Sequence, residues 1–241
     1  MIDVSCFVGA GPLASVDAAG LESMLRRVGV TAAAVSPMAG LFRSDPATNS
    51  VVLPSFFRFV PIVDPRWPVL PSHVAGHAAV RITPASHGYP AEAAIGLKEL
   101  CAQLGVVLVV QLRIADPRNL PADLDLGGVP DVVPLLRAAP EVPVLVAGAK
   151  AGELATLLRV PAVHAELSLA EEPDVLRRAV AAHGADRLLV GTHAPFLTPE
   201  AARLKVSAAR LSASDLAAVT HGNAVRLGLA EPLPKTVGGR D

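Results

Sequence analysis

Residues 90–113, PAEAAIGLKELCAQLGVVLVVQLR, contain one complete helix-to-strand step. Pro90 stands where a first helical turn tolerates a missing N–H. Pro90–Leu104 has helical length and an apolar face, and Gly105 follows its last apolar residue as a C-terminal cap. An apolar run then begins at Val106 and meets polar breaks at Gln111 and Arg113. Such a run, apolar on both faces, suits a buried parallel strand covered by helices.

The same alternation extends in both directions. Strands are predicted over Ile2–Val8, Val30–Ser36, Phe57–Val63, Ala78–Thr83, Val106–Arg113, Val142–Ala147, Ala162–Ser168 and Leu188–His193. Helices are predicted over Asp17–Val28, Pro90–Leu104, Val129–Ala139, Gly152–Arg159, Pro173–His183 and Pro199–Leu211. Pro173 and Pro199 repeat the N-terminal signal of Pro90, while Gly29 and Gly184 repeat the cap of Gly105. Leu176, Ala179, Val180 and His183 share one helix face as a core-facing stripe. Proline-rich Pro61–His77 and the Asp116–Gly128 segment read as irregular.

Eight strands alternating with helices, with no linker between them, predict an α/β protein built as a single (β/α)8 TIM barrel. The domain is expected over residues 1–230, followed by a flexible tail at 231–241. An open doubly wound sheet is the alternative, but no Gly-x-Gly-x-x-Gly turn follows the first strand. The nearest match, Val8-Gly9-Ala10-Gly11-Pro12, places a proline where a phosphate loop needs an N–H.

Composition narrows the function classes. The chain has 241 residues, 51% hydrophobic and only 18% charged, which excludes a disordered polymer. Its mean hydropathy of +0.46 raises the question of a membrane. Apolar runs end after a few residues, however, far short of the roughly 18 that a span requires. Met1-Ile2-Asp3-Val4 lacks the basic stretch of a secretory signal, and the expected location is the cytoplasm. Cys6 and Cys101 are expected as reduced, buried thiols. A net charge of −1 without a basic run gives no nucleic-acid footprint. With only 8 aromatic residues covering so large an apolar content, an oligomer is expected, either of this chain or with a related subunit.

In a barrel of this kind the ligand site lies at the C-terminal ends of the strands. That directs attention to Ser5, Phe7, Asp64, Arg81, Gln111, Arg113, Gly148, Ser168 and His193. Two converging arginines, Arg81 and Arg113, would favour a small carboxylate or phosphate; internal pairing with Asp64 and Asp116 is the competing reading. His193 is placed for proton transfer. Ser5, His193 and Asp3 admit a nucleophilic arrangement, though nothing supplies an oxyanion hole. His73 and His77 have the spacing of a helical metal pair but no glutamate between them.

Several stretches resemble the amidohydrolase superfamily, in particular its amidohydrolase-2 branch. Met1-Ile2-Asp3-Val4-Ser5-Cys6-Phe7-Val8-Gly9 is similar to the family's opening strand, and Phe59–Pro65 and Val80–Pro84 to its third and fourth. Arg187–Phe196 is similar to its eighth, and Asn223-Ala224-Val225-Arg226-Leu227 to its closing helix. The resemblance implies a TIM barrel and metal-assisted hydrolysis or decarboxylation, and it also marks where the chain departs. Ser5 and Phe7 stand where the family keeps two metal-binding histidines. Gln111 falls near the strand-five histidine, Ala147 or Gly148 near the strand-six histidine, and His193 at the strand-eight aspartate.

No metal and no other cofactor is therefore expected. The leading expectation is a degenerate amidohydrolase-related protein that binds a small anionic metabolite with little or no catalysis, or partners an active paralogue. Its alternatives are a metal-independent hydrolase or lyase acting on a small carboxylate or lactone, with His193 as acid/base and Ser5 beside it, and a purely structural subunit. Arg81, Gln111, Arg113 and Phe7 are the expected ligand contacts.

Overall fold

The computed structural model describes residues 1–115 and 127–230. Strand β1 (Ile2–Ala10) makes a short antiparallel hairpin with β2 (Ser15–Val16) and pairs in parallel with β3 (Ala32–Pro37). β3 in turn pairs with β4 (Phe57–Phe59). A second, all-parallel sheet runs β5 (Ala79–Ile82), β6 (Val107–Gln111), β7 (Val144–Ala147), β8 (Val163–Glu166) and β9 (Leu188–Leu189). Backbone hydrogen bonds join the two sheets at both seams. Between β4 and β5, Arg81 N donates to Pro61 O and Val63 N to Arg81 O, both at 2.8 Å. Past β9, Val190 O accepts from Val4 N at 3.0 Å, and His193 N donates to Ser5 O at 2.8 Å. The chain is a (β/α)8 TIM barrel, and each predicted strand overlaps one of its strands, with β1 running on to Ala10 and β3 to Pro37.

The helices are α1 (Ala18–Arg27), α2 (Pro84–His87), α3 (Ile95–Leu104), α4 (Val129–Arg137), α5 (Leu154–Leu157), α6 (Val175–His183) and α7 (Pro199–Ala208). The chain then continues as α8 (Ala213–Ala217), a π turn and α9 (Asn223–Arg226). Pro90–Leu104 begins as a 3-10 turn before α3, and only Leu154–Leu157 of the predicted Gly152–Arg159 helix is α-helical. α8 was not anticipated. Between β3 and β5 the regular pieces, apart from β4, are 3-10 turns, as the prolines there require. His73 ends one of these turns, so the expected helical spacing with His77 is not realised. The Asp116–Gly128 reading, apart from Gly127 and Gly128, and the tail at 231–241 lie outside the described residues. Among the described residues, no helix is long and apolar enough to cross a membrane.

Two apolar layers hold the barrel. Val80, Ile82, Leu108, Val110, Val144, Val146 and Ala165 face outward against Leu97, Leu135, Leu157 and Leu176 of the helices. The alternate residues Ala79, Val107, Val109, Leu145, Ala147 and Leu189 pack inside with Ile2 and Val4. The period of two then aims Arg81, Gln111 and Glu166 inward at the mouth. β1 achieves the same result by irregularity. Its pairing with β3 slips between Asp3 and Cys6, a bulge that re-aims the strand. Val4 therefore packs inside, Cys6 and Val8 pack outside, and Ser5 and Phe7 reach the mouth.

Candidate functional site

Arg81 spans the mouth from β5 to β1. It is fully buried, donates from Nη1 to Ser5 Oγ at 3.1 Å and to Gln111 Oε1, and lies 4.9 Å from the Phe7 ring centroid. Among the described residues, its Nε and Nη2 have no hydrogen-bond partner and it forms no ion pair. Burial lowers the guanidinium to about 10 from its usual 12.5, outweighing the nearby Cys6, Glu166 and Asp3. The Gln111 amide continues the chain of contacts: its Nε2 donates to Arg113 O at 2.5 Å and lies 3.4 Å from His193 Nε2.

His193 is held at φ +51°, directly before a cis Ala194–Pro195 bond, and is completely buried. Its Nε2 is 3.1 Å from Glu166 Oε2, and its Nδ1 is 3.3 Å from Ile114 O. Glu166 also accepts from Gly148 N at 3.1 Å, Ser168 N at 2.5 Å and Ser168 Oγ at 2.9 Å. Burial works to raise the Glu166 carboxyl, but His193 beside it and these hydrogen bonds hold it below the ordinary range. The position exists because residue 191 is glycine. A Cβ there would come within 2.3 Å of Glu166 Oε1.

Asp3 forms a second acidic centre at the seam. It accepts from Ser5 N and Thr192 N, each at 3.0 Å, and from Thr192 Oγ1 at 2.6 Å. Burial raises its carboxyl to about 6 from 3.8 despite these bonds. Phe7 forms the roof: it meets His193 edge-on at 5.7 Å, packs on Phe196 at 5.4 Å, and clusters with Met38, Leu41, Ile62 and Ile114.

The structure therefore brings Ser5, Phe7, Arg81, Gln111 and His193 together and separates Arg113 from them. Arg113 forms a two-pronged ion pair with Glu153 at 2.7 and 2.8 Å and donates to Gly148 O at 3.3 Å. β6 ends at Gln111, so strand alternation no longer governs residue 113. The competing reading, internal pairing of Arg81 and Arg113 with Asp64 and Asp116, is not met at Asp64, and Asp116 lies outside the described residues. Asp64 is occupied by Arg66 at 2.6 Å and by Ser44. The serine–histidine–aspartate arrangement is likewise absent: Ser5 Oγ faces Arg81, and Asp3 faces Thr192 rather than His193. Glu166 was missed in favour of Ser168. The available signal was an acid at the inward period of an otherwise apolar strand.

The polar cluster lies at the C-terminal ends of the strands, where the ligand and active sites of TIM barrels are built. The amidohydrolase family profile matches residues 54–227, and the chain belongs to that family. Among solved structures it is similar to 5-carboxyvanillate decarboxylase from Sphingomonas paucimobilis, with a TM-score of 0.71 and 11% identity over 95% of this chain and 99% of that one. It is also similar to 2,6-dihydroxybenzoate decarboxylase from Rhizobium, at 0.67 and 13% over 94% and 97%. A third similar structure is a candidate 2-pyrone-4,6-dicarboxylic acid hydrolase from Pseudomonas putida, at 0.66 and 18% over 94% and 96%. At these identities the likeness speaks to the fold. No curated protein matches the sequence.

The residues present do not fit the metal centre that the superfamily resemblance implies. A catalytic zinc takes three protein N, O or S ligands plus an open position. Among the described residues, the mouth offers the His193 imidazole and the Glu166 carboxylate, already paired to each other, the Asp3 carboxylate, taken up by Ser5 N and Thr192, and a fixed guanidinium that would repel a cation. Among the described residues, no group of three His, Cys, Asp or Glu is arranged to hold a metal.

Proposed function

We propose that this chain is a degenerate amidohydrolase-family barrel that works without the metal centre and binds a small anionic metabolite at its mouth, with little or no catalysis. The observation that carries this reading is Arg81, a fully buried cation with two unpartnered nitrogens where a hydrolase would need an electrophilic centre. An unpaired buried charge is expensive, and a ligand carboxylate would offset that cost through charge-assisted bonds. The similar structures are named for acting on carboxylic acids, which supports the same ligand class. Catalysis has less support, because His193 is engaged by Glu166 and the Ser5 hydroxyl accepts from Arg81 rather than facing a base.

A screen of small carboxylates by thermal shift tests this, alongside elemental analysis. At least one carboxylate should stabilise the wild type and lose its effect in Arg81→Met, and the purified chain should carry well under one equivalent of metal. Stoichiometric metal that survives dialysis, or no response to any carboxylate, overturns the proposal. A second reading, a metal-independent hydrolase or lyase acting on a small carboxylate or lactone, rests on the Glu166–His193 pair. There Glu166 would orient His193 as acid/base, a role that requires the roof to open.

A further inference from the structure

His87, the last residue of α2, carries an imidazole whose side chain is only 2% exposed. Its Nε2 lies 2.9 Å from Gly40 O in the turn after β3. A carbonyl only accepts, so Nε2 is the donor and carries the proton. Among the described residues Nδ1 has no hydrogen-bond partner, and it stands 3.7 Å from Asp64 Oδ2. A neutral His87 therefore turns a bare lone pair towards a carboxylate. That carboxylate is already full. Arg66 N and Nε donate to Oδ1 at 2.9 and 3.1 Å, and Arg66 Nη2, at 2.6 Å, and Ser44 Oγ donate to Oδ2. These four donors match the roughly four lone-pair sites of a carboxylate. Ser44 Oγ in turn accepts from Trp67 Nε1 at 2.8 Å, and Trp67 is the one tryptophan of the chain.

We propose that His87 is an acid-operated latch on the rim of the mouth: once protonated at Nδ1, it takes Asp64 from Arg66 and reshapes the segment that carries Trp67. A fifth donor can bond this carboxylate only if one of the four gives way. The Arg66 guanidinium is the one that water can replace, because its side chain is 45% exposed. It also keeps a second contact, 4.9 Å from the Tyr89 ring centroid. Tyr89 itself packs on His87 at 6.3 Å, and burial raises its hydroxyl, so it stays neutral. Arg43, Asp45 and His73 line the same cavity of about 80 Å³ as His87 and Asp64. Burial lowers the His87 imidazole from its usual 6.5 and Arg66 adds to this, against the opposing pull of Gly40 O and Asp64. The latch therefore works on the acid side of neutrality. Asp64 remains ionised there: burial works to raise its carboxyl, but Arg66 and Ser44 hold it at about 2 from 3.8. The rim joins the candidate site through the backbone, since Val63, the neighbour of Asp64, donates to Arg81 O at 2.8 Å. The latch stands independently of the anion-binding reading.

Two titrations of the full chain between about pH 8 and pH 5, the range in which histidine changes charge, test the latch. Long-range nitrogen–proton NMR should show the His87 ring as the Nε2–H tautomer at the alkaline end and protonated at the acid end, with a midpoint below 6.5. The fluorescence of Trp67 should shift reversibly with the same midpoint while the far-UV circular dichroism stays constant. His87→Gln keeps a donor for Gly40 O and should abolish the fluorescence step; His73→Gln should retain it. Arg66→Gln removes both the competitor for Asp64 and a like charge, so it should raise the His87 midpoint towards 6.5. A ring that stays neutral to pH 5, or that holds its proton on Nδ1, overturns the latch without recourse to any variant. So does a fluorescence step that survives in a folded His87→Gln, or one that coincides with loss of the circular dichroism. An unmoved midpoint in Arg66→Gln overturns the exchange of partners at Asp64.

Discussion

Replacing Arg81 with methionine should leave the barrel as stable as the wild type or more so. The side chain is fully buried, and burial lowers its guanidinium from 12.5 to about 10. At ~1.4 kcal/mol per pH unit, holding it charged costs the fold on the order of 3 kcal/mol at neutral pH. Two of its nitrogens lack partners, so hydrogen bonding recovers little of that cost. Methionine fills a similar unbranched volume and can lie against Phe7, where the guanidinium now sits 4.9 Å from the ring centroid. The substitution also removes a donor from Ser5 Oγ and Gln111 Oε1. Ser5 can rotate its hydroxyl, but the Gln111 oxygen stays buried, at a cost of about 1–3 kcal/mol. The balance lies between zero and a gain of roughly 2 kcal/mol, in keeping with buried charges that apolar residues replace without loss. Urea denaturation of both proteins at neutral pH measures it. A loss of more than about 2 kcal/mol would mean that Arg81 is a structural keystone supported by Glu166 and Asp3 through space, and the case for an absent ligand would collapse.

Three further outcomes follow from the same geometry. Asp3 is raised to about 6 from 3.8, so the folded state binds its proton more tightly than the unfolded state, and the carboxylate penalises the fold above about pH 6. Asp3→Asn should therefore gain stability relative to wild type at pH 7.5, by up to about 3 kcal/mol, with the gain vanishing as pH falls from 6 to 4; a difference independent of pH refutes this. Gly191→Ala places a Cβ within 2.3 Å of Glu166 Oε1, and should lower stability by about 2–4 kcal/mol and shift the His193 ring resonances in NMR spectra; unchanged resonances would show that Glu166 does not hold His193. Lys98 is a buried ammonium that donates to Leu135 O, Leu136 O and Ala138 O at the end of α4, so Lys98→Met should cost about 2–4 kcal/mol in a urea titration, and a neutral result would show that water replaces it.

The barrel was legible in the sequence because its signals are local. An apolar run bounded by Gly105 and Gln111 states its own length and burial, and eight such runs leave few topologies open. The mouth was legible where period alone decides orientation, as at Arg81 and Gln111 on straight strands. It was not legible where the backbone departs from the period. Arg113 lies two residues beyond the end of β6, and its partner Glu153 comes from a turn after β7, so no count along one strand could pair them. Asp3 and Cys6 flank a bulge, with Ser5 inside it, that only the β1–β3 register reveals. Glu166 makes the same point about position 193. Read alone, His193 is a histidine where the family resemblance implies an aspartate; with Glu166 Oε2 3.1 Å from its Nε2, it belongs to a buried pair. Among the described residues Arg81 has no such carboxylate within bonding distance, and that asymmetry is why the proposed ligand is argued from the buried arginine more than from the buried histidine.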